Sequence, residues 1–333
     1  MTSNEKLLRV EGLEVDFISR GSVTAAVRSL SYELAAGETL AILGESGSGK
    51  TVAALAVAGI LESPPARIAA GQILVDGADL LKMSATRVRR EYQGEQIAMV
   101  FQDALAALNP AYPVGVQISE GYRLKRGVSR ADARRRAIEL MDRVRIPAAS
   151  TRVDDYPHQF SGGMRQRIVI AMACALDPRI LIADEPTTAL DVTVQAEIID
   201  LLREVQLESN MGMILISHDL GVVARVADRV AVMYAGRIIE TGNVDAVYRM
   251  PGHPYTEALL EAIPRPDQRA DRLRALPGSP PLLSQPIIGC SFAPRCAYAQ
   301  EICKSDSPPL FELRDSHRSA CFFHERVQNH ATV

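Results

Sequence analysis

Short apolar runs, bounded by glycine, proline or charged residues, alternate with segments of helical periodicity as far as about residue 250. The runs that are rich in isoleucine, valine and leucine, as buried strands are, lie at 39–43, 97–102, 180–185 and 213–217. A further pair of strands is expected around 230–241, and helices are expected at 52–61, 161–176 and about 192–208. Strands that alternate with helices in this way predict an α/β fold.

Two parts of this pattern depart from a plain alternating sheet. Short strand-like runs with turns between them lie at 7–11, 13–17, 29–34 and 72–77, and such a β-rich beginning does not fit a doubly wound sheet. From about 103 to 160 the chain becomes helical and more charged, which we interpret as a helical insertion. Its arginines are expected to form a solvated helix face, and they stand at 130, 134, 135, 136 and 143.

The character of the chain changes beyond residue 250. Periodicity fades there, and the segment 251–333 holds 11 of the 19 prolines and four of the five cysteines. We therefore predict one domain over 1–250, with a helical subdomain at about 103–175. A separate C-terminal extension over 251–333 is expected to have little regular structure.

Composition narrows the class of protein. The 333 residues are 47 % hydrophobic and carry a formal net charge of −3, which fits a globular protein and gives no reason to expect nucleic acid as a partner. No apolar run approaches the roughly 18 residues that a membrane-spanning helix needs. The polar N-terminus lacks a secretory pattern, so we expect a cytosolic protein. In that compartment clustered cysteines suggest a metal before disulfides.

The segment between the strand at 39–43 and the helix at 52–61 matches the phosphate-binding pattern G-x-x-x-x-G-K-[ST] in its strand–loop–helix setting. Glycine lets the backbone wrap around an anion, so that N–H groups and the helix N-terminus point at phosphate. The lysine is predicted to reach the terminal phosphates, and the threonine to hold Mg²⁺. The expected nucleotide-binding residues are Gly44, Glu45, Ser46, Gly47, Ser48, Gly49, Lys50 and Thr51.

Polar side chains stand at the ends of three other apolar runs. Asp184 suits a second hold on Mg²⁺, and Glu185 beside it suits the general base that orients an attacking water. Gln102 and His218 end two more runs, where an open α/β sheet binds its ligands. A histidine at a strand end is also common as a structural residue, and its polar neighbours do not decide between the two roles.

Residues 160–167, F-S-G-G-M-R-Q-R, resemble the signature motif of ABC-type ATPases. Over roughly residues 7–245 the order of motifs is similar to that of the whole family: phosphate loop, Gln102, signature, Asp184-Glu185, Ala189-Leu190-Asp191 and Ser217-His218-Asp219. Ser161, Gly162 and Gly163 also open a predicted helix, so they form another anion site. The resemblance implies that this site acts on ATP held by a second, facing ATPase subunit, with Asp191 at the head-to-tail contact.

The resemblance also implies a fold and further ligands. The fold is an ABC-type P-loop ATPase core with an antiparallel β-subdomain, a helical subdomain and an irregular C-terminal extension rich in cysteine and proline. Phe17 lies where the family places the aromatic side chain that stacks on adenine; family members often carry tyrosine there, and a strand-core role is the alternative. Gln102 joins Thr51 and Asp184 as an Mg²⁺ ligand, and joins Glu185 and His218 in catalysis.

Within that family the chain resembles the ATP-binding subunits of oligopeptide and dipeptide importers. The resemblance is carried by F-Q-D at 101–103, L-N-P at 108–110, Y-P-H-Q at 156–159, G-H-P-Y-T at 252–256 and the cysteine-bearing tail, with Ala104 where proline is usual. It implies ATP-driven uptake of peptides or related small solutes, from a peripheral position on the cytoplasmic face of the bacterial inner membrane. The implied partners are a homologous second ATPase subunit, two transmembrane permease subunits and, indirectly, an extracytoplasmic solute-binding protein.

Two other functions are the alternatives to an importer subunit. One is a soluble ABC ATPase that is not coupled to transport, although such proteins usually carry long coiled coils or two nucleotide domains. The other treats the tail as a metal-dependent regulatory module with the ATPase secondary to it.

The tail cysteines have the spacing Cys290-x₅-Cys296-x₆-Cys303-x₁₇-Cys321. This spacing lacks the short C-x₂₋₄-C pairs that are usual in zinc sites. Four thiolates on a loop-rich segment instead suit a [4Fe–4S] cluster, and importer subunits with a similar tail carry one. Cysteines without a metal are the alternative. Cys174 lies in the helix at 161–176 and is expected to be a small core residue.

Overall fold

The computed structural model describes residues 6–19, 21–188, 190–262, 276, 278–314 and 316–331. The strands of these residues are β1 (Lys6–Ser19), β2 (Ser22–Ala35), β3 (Thr39–Leu43), β4 (Ala66–Val75), β5 (Ala78–Asp79), β6 (Ile97–Val100), β7 (Ile180–Asp184), β8 (Gly212–Ser217), β9 (Arg229–Tyr234), β10 (Arg237–Asn243), β11 (Phe311–Arg314) and β12 (His317–Ser319). Their α-helices are α1 (Lys50–Val57), α2 (Ala85–Glu91), α3 (Ala104–Ala107), α4 (Val114–Arg126), α5 (Arg130–Arg143), α6 (Ala149–Arg152), α7 (Gly162–Ala173), α8 (Val192–Ser209), α9 (Leu220–Val226), α10 (Val244–Arg249), α11 (Pro254–Glu261), α12 (Glu301–Ser305) and α13 (His324–Ala331).

These elements belong to two compact units, each assembled from separate segments of the chain. The helical unit consists chiefly of Leu34–Glu38 and Leu80–Leu215, and the β-rich unit consists of Leu8–Glu33, Thr39–Asp79 and the chain from Ile216 onward. In the part of the chain that the structure describes, no helix combines the length and the apolar composition of a membrane span. The predicted division near residue 250 stays a prediction.

The β-rich unit contains an antiparallel sheet in the order β2-β1-β4-β5. β1 pairs with β4 in antiparallel register, with Phe17 opposite Ala66. The prediction of two short runs in β1 is wrong, because β1 is continuous. Gly12, at φ 55°, lies in a register shift and donates its N–H to Ser31 Oγ at 2.9 Å, so it bends the strand as a bulge without ending it.

The same unit contains a second series of strands in the order β11-β12-β10-β9-β3. β3 and β9 are parallel, while the β9–β10, β10–β12 and β12–β11 pairs are antiparallel. Two strands of the tail therefore extend this sheet, and the tail also forms α11 and α13. The tail thus has more regular structure than predicted. The sequence did not show it because β12, for example, is only three residues long and too short to produce a visible pattern.

In the helical unit, β6 and β7 are parallel, with Ile97 opposite Ile180, and β8 neighbours β7. Helices α3 to α7 form the predicted helical insertion. The solvated face of α5 is confirmed for the exposed arginines at 130, 134 and 135, whereas Arg136 is half-buried and pairs with Asp177 at 2.6 Å. Cys174 is a core residue as predicted, and burial raises the pKa of its thiol to about 12.

Helix α1 is shorter than the predicted 52–61. It ends at Val57; the Ala58 N–H still bonds to the Ala54 carbonyl at 2.9 Å, and Gly59 then turns the chain at φ 69°. A glycine in the left-handed region just past the last turn is a common helix stop. This glycine ends α1 before the prolines at 64 and 65 are reached.

Candidate functional site

The loop from Gly44 to Gly49 connects the fully buried strand β3 to helix α1. Two of its glycines leave no room for a side chain. A Cβ on Gly44 (φ 153°) would lie 2.2 Å from the Met233 carbonyl oxygen, and one on Gly49 (φ 100°) would lie 2.4 Å from the Ala26 carbonyl oxygen. The pattern of glycines therefore follows from packing of the loop against its own unit, and Ser46 and Gly47 at its tip are exposed.

Lys50 is the first residue of α1 and is 5 % exposed. Its ammonium donates to the carbonyl oxygens of Gly44 at 2.7 Å and Glu45 at 3.0 Å, so it lies on the inner side of the loop. The helix begins without a side-chain cap at Gly49. A loop that surrounds a lysine at the N-terminus of a helix concentrates positive potential, and it is suited to bind phosphate. Thr51 follows directly and is exposed.

The loop is also bonded to the C-terminal extension. The Glu45 N–H donates to the Tyr255 hydroxyl at 2.8 Å, and the Glu45 carboxylate accepts two hydrogen bonds from Arg295, at 2.7 and 3.0 Å. Sequence reasoning missed Tyr255 and Arg295. No local signal could have found this contact, because Arg295 and Glu45 are 250 positions apart.

In the helical unit the structure brings Gln102 and Glu185 together. Gln102 Nε2 donates to Glu185 Oε2 at 3.1 Å, and Thr188 Oγ1 donates to the same oxygen at 3.0 Å. Glu185 has φ 46°, a conformation that costs a non-glycine residue about 1–3 kcal/mol and is frequent at functional sites. Asp184, the last residue of β7, is 2 % exposed. The carboxylate pair thus combines one buried and one half-buried acid at a strand end.

The S-G-G segment caps the twelve-residue helix α7. Ser161 Oγ accepts a hydrogen bond from the Met164 N–H at 3.4 Å, and both Ser161 and Gly162 are exposed. A Cβ on Gly163 would lie 2.6 Å from Val194 Cγ1, so glycine is needed for the close approach of α8. The segment therefore presents a helix N-terminus on the surface of the helical unit.

Asp191 caps α8, and its Oδ1 accepts from the Val194 N–H at 3.0 Å. Val194 thus contacts Gly163 of the signature segment and donates its N–H to Asp191. Asp191 and the signature segment, both predicted to contact a second subunit, therefore lie side by side. Ala189 of the predicted Ala189-Leu190-Asp191 loop lies outside the described residues.

His218 and Phe17 belong to the β-rich unit. His218 follows β8 directly and is exposed, whereas its neighbours have structural roles. The Ser217 hydroxyl accepts from the Asp219 N–H at 2.9 Å, and Asp219 Oδ1 accepts from the N–H groups of Gly221 and Val222 at 2.8 and 3.1 Å. Phe17 is half-buried near the end of β1.

The four tail cysteines are reduced thiols in one region of the β-rich unit. Cys290 and Cys296 are half-buried, and Cys303 and Cys321 are buried. Burial raises the pKa of Cys296 to about 11 and that of Cys321 to about 12, and the neighbouring tail thiols add to both shifts. Main-chain N–H groups reach two of the sulfurs, from Tyr298 to Cys296 at 3.3 Å and from Phe323 to Cys321 at 3.4 Å.

A further question is whether these thiols are grouped closely enough to bind a metal ion. Among the described residues, no three or more His, Cys, Asp or Glu side chains are grouped so that they could hold a metal ion. The prediction of an iron–sulfur cluster therefore stays a prediction.

Comparison with known proteins places these features in a family. Residues 27–188 match the ABC transporter family, and residues 239–303 match the oligopeptide/dipeptide transporter C-terminal region. The chain is 51 % identical over 315 residues to a putative peptide import ATP-binding protein of Brucella abortus, covering 95 % of this chain and 94 % of the relative. It is 46 % identical over 317 residues to the dipeptide transport ATP-binding protein DppD of Escherichia coli, covering 95 % and 96 %.

Solved structures agree with this grouping. The dimeric bacterial ABC transporter cassette MJ0796 matches with a TM-score of 0.62 and 25 % identity over 71 % of this chain and 98 % of that chain. CbiO1 of Clostridium perfringens matches with a TM-score of 0.62 and 30 % identity over 73 % and 91 %. The chain belongs to the family of ABC transporter ATP-binding proteins and carries the C-terminal region of its oligopeptide/dipeptide branch. It is an ABC-type ATPase, and the predicted ABC-type P-loop ATPase core is confirmed.

Proposed function

We propose that the chain hydrolyses ATP to drive an importer of peptides or related small solutes. The observation that carries this proposal is the similarity to ATP-binding proteins of peptide and dipeptide transport over 94–96 % of those proteins, tail included. A soluble ABC ATPase need not share that tail. The match to the oligopeptide/dipeptide C-terminal region at 239–303 therefore favours the transporter over the soluble alternative.

The nucleotide is proposed to bind to the loop from Gly44 to Gly49, with Lys50 on its terminal phosphates. Lys50 now bonds to loop carbonyl oxygens, and phosphate oxygens would replace them as stronger acceptors of a charged donor. Phe17 is proposed to stack on adenine, and its half-buried position leaves ring surface for that contact.

Mg²⁺ is proposed to bind to Thr51, Asp184 and Gln102. The donors are a hydroxyl, a carboxylate and an amide oxygen, which is the oxygen chemistry that Mg²⁺ prefers, and Asp184 is 2 % exposed at the end of a rigid strand. When bound, the ion neutralises charge on the phosphates.

Glu185 is proposed as the general base. Its carboxylate already accepts two hydrogen bonds, from Gln102 and Thr188, and a water can enter the same network. His218, exposed beyond β8, is proposed to stabilise the transferred phosphoryl group. Gln102 is proposed to connect the nucleotide to Glu185, because its amide bonds to that carboxylate.

Ser161, Gly162 and Gly163 are proposed to bind the nucleotide of a second ATPase subunit, which packs head to tail. The exposure of Ser161 and Gly162 at a helix N-terminus supports this role, because the first N–H groups of a helix have no partner within the helix and can bind an anion. Asp191, placed beside this segment through Val194, is proposed to lie at the subunit contact.

The remaining partners are proposed to be two transmembrane permease subunits and, indirectly, an extracytoplasmic solute-binding protein. The chain would then lie on the cytoplasmic face of the inner membrane as a peripheral subunit. Three large apolar side chains of the helical unit are exposed, and they are proposed to contribute to the permease contact: Phe101, Tyr112 and Val116.

The four tail cysteines are proposed to hold a [4Fe–4S] cluster. Support comes from four reduced thiols in one region and from main-chain N–H groups bonded to sulfur, a contact that tunes such clusters. Among the described residues no group of three or more His, Cys, Asp or Glu side chains is placed to hold a metal ion, so the proposal rests on the number and reduced state of the tail thiols.

Uptake by whole cells tests the proposal. A strain that lacks the chain should lose uptake of radiolabelled di- and oligopeptides, and wild-type protein should restore it while Glu185→Gln should not. Glu208→Gln is the matched control, because Glu208 lies on the surface of α8 and pairs with Arg143 at 3.1 Å. Unchanged peptide uptake in the deletion strain, with no hydrophobic subunit co-purifying with the chain, would overturn the proposal.

A further inference from the structure

Arg295 of the C-terminal extension forms a two-pronged ion pair with the phosphate loop. Its Nη1 lies 2.7 Å from Glu45 Oε2, and its Nη2 lies 3.0 Å from Glu45 Oε1. The Arg295 side chain is 4 % exposed, and Nη1 also donates to the Tyr234 hydroxyl at 3.3 Å. A bidentate pair at low exposure is among the stronger ionic contacts, and removal of one partner leaves an unpaired charge in a desolvated place.

Tyr255 holds the same loop residue through its main chain. Its hydroxyl accepts the Glu45 N–H at 2.8 Å, and its ring is 0 % exposed. The ring packs against Tyr234 at a centroid distance of 4.7 Å and against Phe292 at 5.5 Å. Tyr255 and Arg295 therefore approach Glu45 from one aromatic cluster, to which the extension contributes Tyr255 and Phe292.

Glu45 connects this cluster to the lysine of the loop. Its carboxylate and N–H are bonded to the extension, while its carbonyl oxygen accepts from Lys50 Nζ at 3.0 Å. An N–H that is bonded to Tyr255 is not directed at an anion, so Glu45 acts as an anchor of the loop and leaves phosphate to the amides that follow it. Displacement of Glu45 would shift the carbonyl beside which Lys50 lies.

Arg295 is held in turn by the cysteine-bearing segment, residues 290–303. It ends a short helical turn, Ala293–Arg295, that lies between Cys290 and Cys296. The turn is closed by hydrogen bonds from the Ala293 N–H to the Cys290 carbonyl at 3.0 Å and from the Cys296 N–H to the Ala293 carbonyl at 3.3 Å. The Cys290 N–H further donates to the Cys303 carbonyl at 2.8 Å, so two stretches of the cysteine segment fix the backbone that carries Arg295.

We propose that Arg295 and Tyr255 are positioning residues for the phosphate loop, acting through Glu45, and that they make nucleotide affinity depend on the conformation of the cysteine-bearing segment. The proposal rests on the proposed role of the loop as the nucleotide site. Linkage makes the coupling reciprocal: if the segment alters nucleotide affinity, bound nucleotide alters the segment by the same factor. The extension is therefore a part of the nucleotide site and not only an attachment to it.

A double-mutant cycle on the full-length protein tests whether Arg295 positions the phosphate loop through Glu45. Arg295→Gln and Glu45→Gln should each weaken binding of MgATP by about tenfold, within the 5- to 150-fold range of coupled sites. The double variant should bind MgATP no more weakly than whichever single variant has the lower affinity, because each single substitution already removes the same Arg295–Glu45 ion pair. Tyr255→Phe, which removes only the hydroxyl, should weaken binding in the same direction, and Arg295→Lys should recover part of the affinity.

Arg126→Gln is the matched control for this cycle. Arg126 forms an equally bidentate pair with Glu95, at 3.1 and 2.9 Å, in the helical unit. This variant should bind MgATP like the wild type. Additive effects in the cycle, or wild-type affinity for folded Arg295→Gln and Tyr255→Phe, would overturn the proposal.

Thiol labelling tests whether bound nucleotide and the cysteine-bearing segment are coupled. It also distinguishes a failure of this coupling from a failure of the proposed ATP site. MgATP, in the Glu185→Gln background so that it is not consumed, should change the rate at which maleimide labels the tail cysteines, as measured by mass spectrometry of their peptides. Saturating nucleotide should leave that rate unchanged when Arg295→Gln is also present. Nucleotide binding without any change in labelling in the parent protein would reject the coupling while the proposed ATP site stands. If the parent protein bound no MgATP at all, the ATP site and the coupling would both fall.

Discussion

Gln102 donates a hydrogen bond to the carboxylate of Glu185 across 83 positions of sequence, at 3.1 Å. The contact joins the end of β6 to the end of β7, which are neighbouring parallel strands. A side chain proposed to sense nucleotide is therefore bonded to the proposed base. Rearrangement of Gln102 on binding would alter how Glu185 is directed, so the state of the nucleotide and the readiness of the base are connected through one amide.

Gln102→Ala is expected to lower the maximal rate of ATP hydrolysis by about 10- to 100-fold, the worth of one hydrogen bond to a charged group. The Kd for MgATP should change less, because the loop, Lys50 and the other two proposed Mg²⁺ ligands, Thr51 and Asp184, remain. Steady-state kinetics together with nucleotide titration separate these effects. A loss of affinity with an unchanged maximal rate would refute a role for Gln102 in directing the base.

Action of the signature segment across a dimer can be tested by mixing variants. Ser161→Arg blocks one surface and Lys50→Ala empties one loop, so a mixed head-to-tail dimer retains one intact composite site. If the chain forms homodimers, the mixture should hydrolyse ATP although neither variant does so alone. Absence of recovery in a confirmed mixed dimer would contradict the head-to-tail arrangement. Failure to form a dimer would indicate a homologous partner subunit.

His253 gives the fold a defined pH dependence. It is 1 % exposed, its Nδ1 accepts the Tyr255 N–H at 3.0 Å, and burial lowers its pKa from 6.5 to about 3. Below pH 6.5 this histidine binds a proton in the unfolded chain but stays neutral in the folded chain. The free energy of unfolding therefore decreases as the pH decreases, and this group lowers it by about 2 kcal/mol at pH 5.0 relative to neutral pH.

His253→Asn keeps an acceptor for the helix N-terminus but does not titrate. Urea unfolding at pH 7.5 and pH 5.0 should show a smaller loss of stability for this variant than for the wild type. Equal losses in the two proteins would show that His253 stays neutral in the unfolded chain or is protonated in the folded one, contrary to its burial.

The cysteine prediction concerns iron. Protein purified without oxygen should be brown and contain about four irons per chain, the stoichiometry of a [4Fe–4S] cluster. Cys296→Ser should bleach it, whereas Cys174→Ser should not, because Cys174 is a core residue of the helical unit. Zinc in place of iron by elemental analysis would reject the cluster, and the absence of both metals would leave the tail as a docking surface.

Much of the site could be predicted from sequence because its parts are local. The run at 39–43 is buried at every position in β3, the run at 180–185 becomes β7, and Ser161 and Asp191 cap helices where the patterns place caps. In each case the signal and the structure it specifies lie within a few residues of each other. Periodicity, capping and glycine spacing all operate at that range.

The features that could not be predicted depend on distant partners. Arg295 looks like any surface arginine until Glu45 is placed beside it, and β12 is a strand because β10 supplies its hydrogen bonds. Gly12 resembles a strand end in sequence, yet the paired strand β4 continues past it. Such contacts are decided by the folded chain as a whole, and a single sequence carries no local trace of them.

The rate of ATP hydrolysis by the Glu185→Gln variant tests whether Glu185 is the general base. This variant should bind MgATP with wild-type affinity and accumulate as an ATP-bound dimer, while turnover falls by at least about 100-fold through loss of the general base. Lys50→Ala should instead lose affinity, and Glu208→Gln, on the surface of α8, should hydrolyse ATP like the wild type. Hydrolysis by Glu185→Gln at close to the wild-type rate would contradict the assignment of Glu185 as the general base.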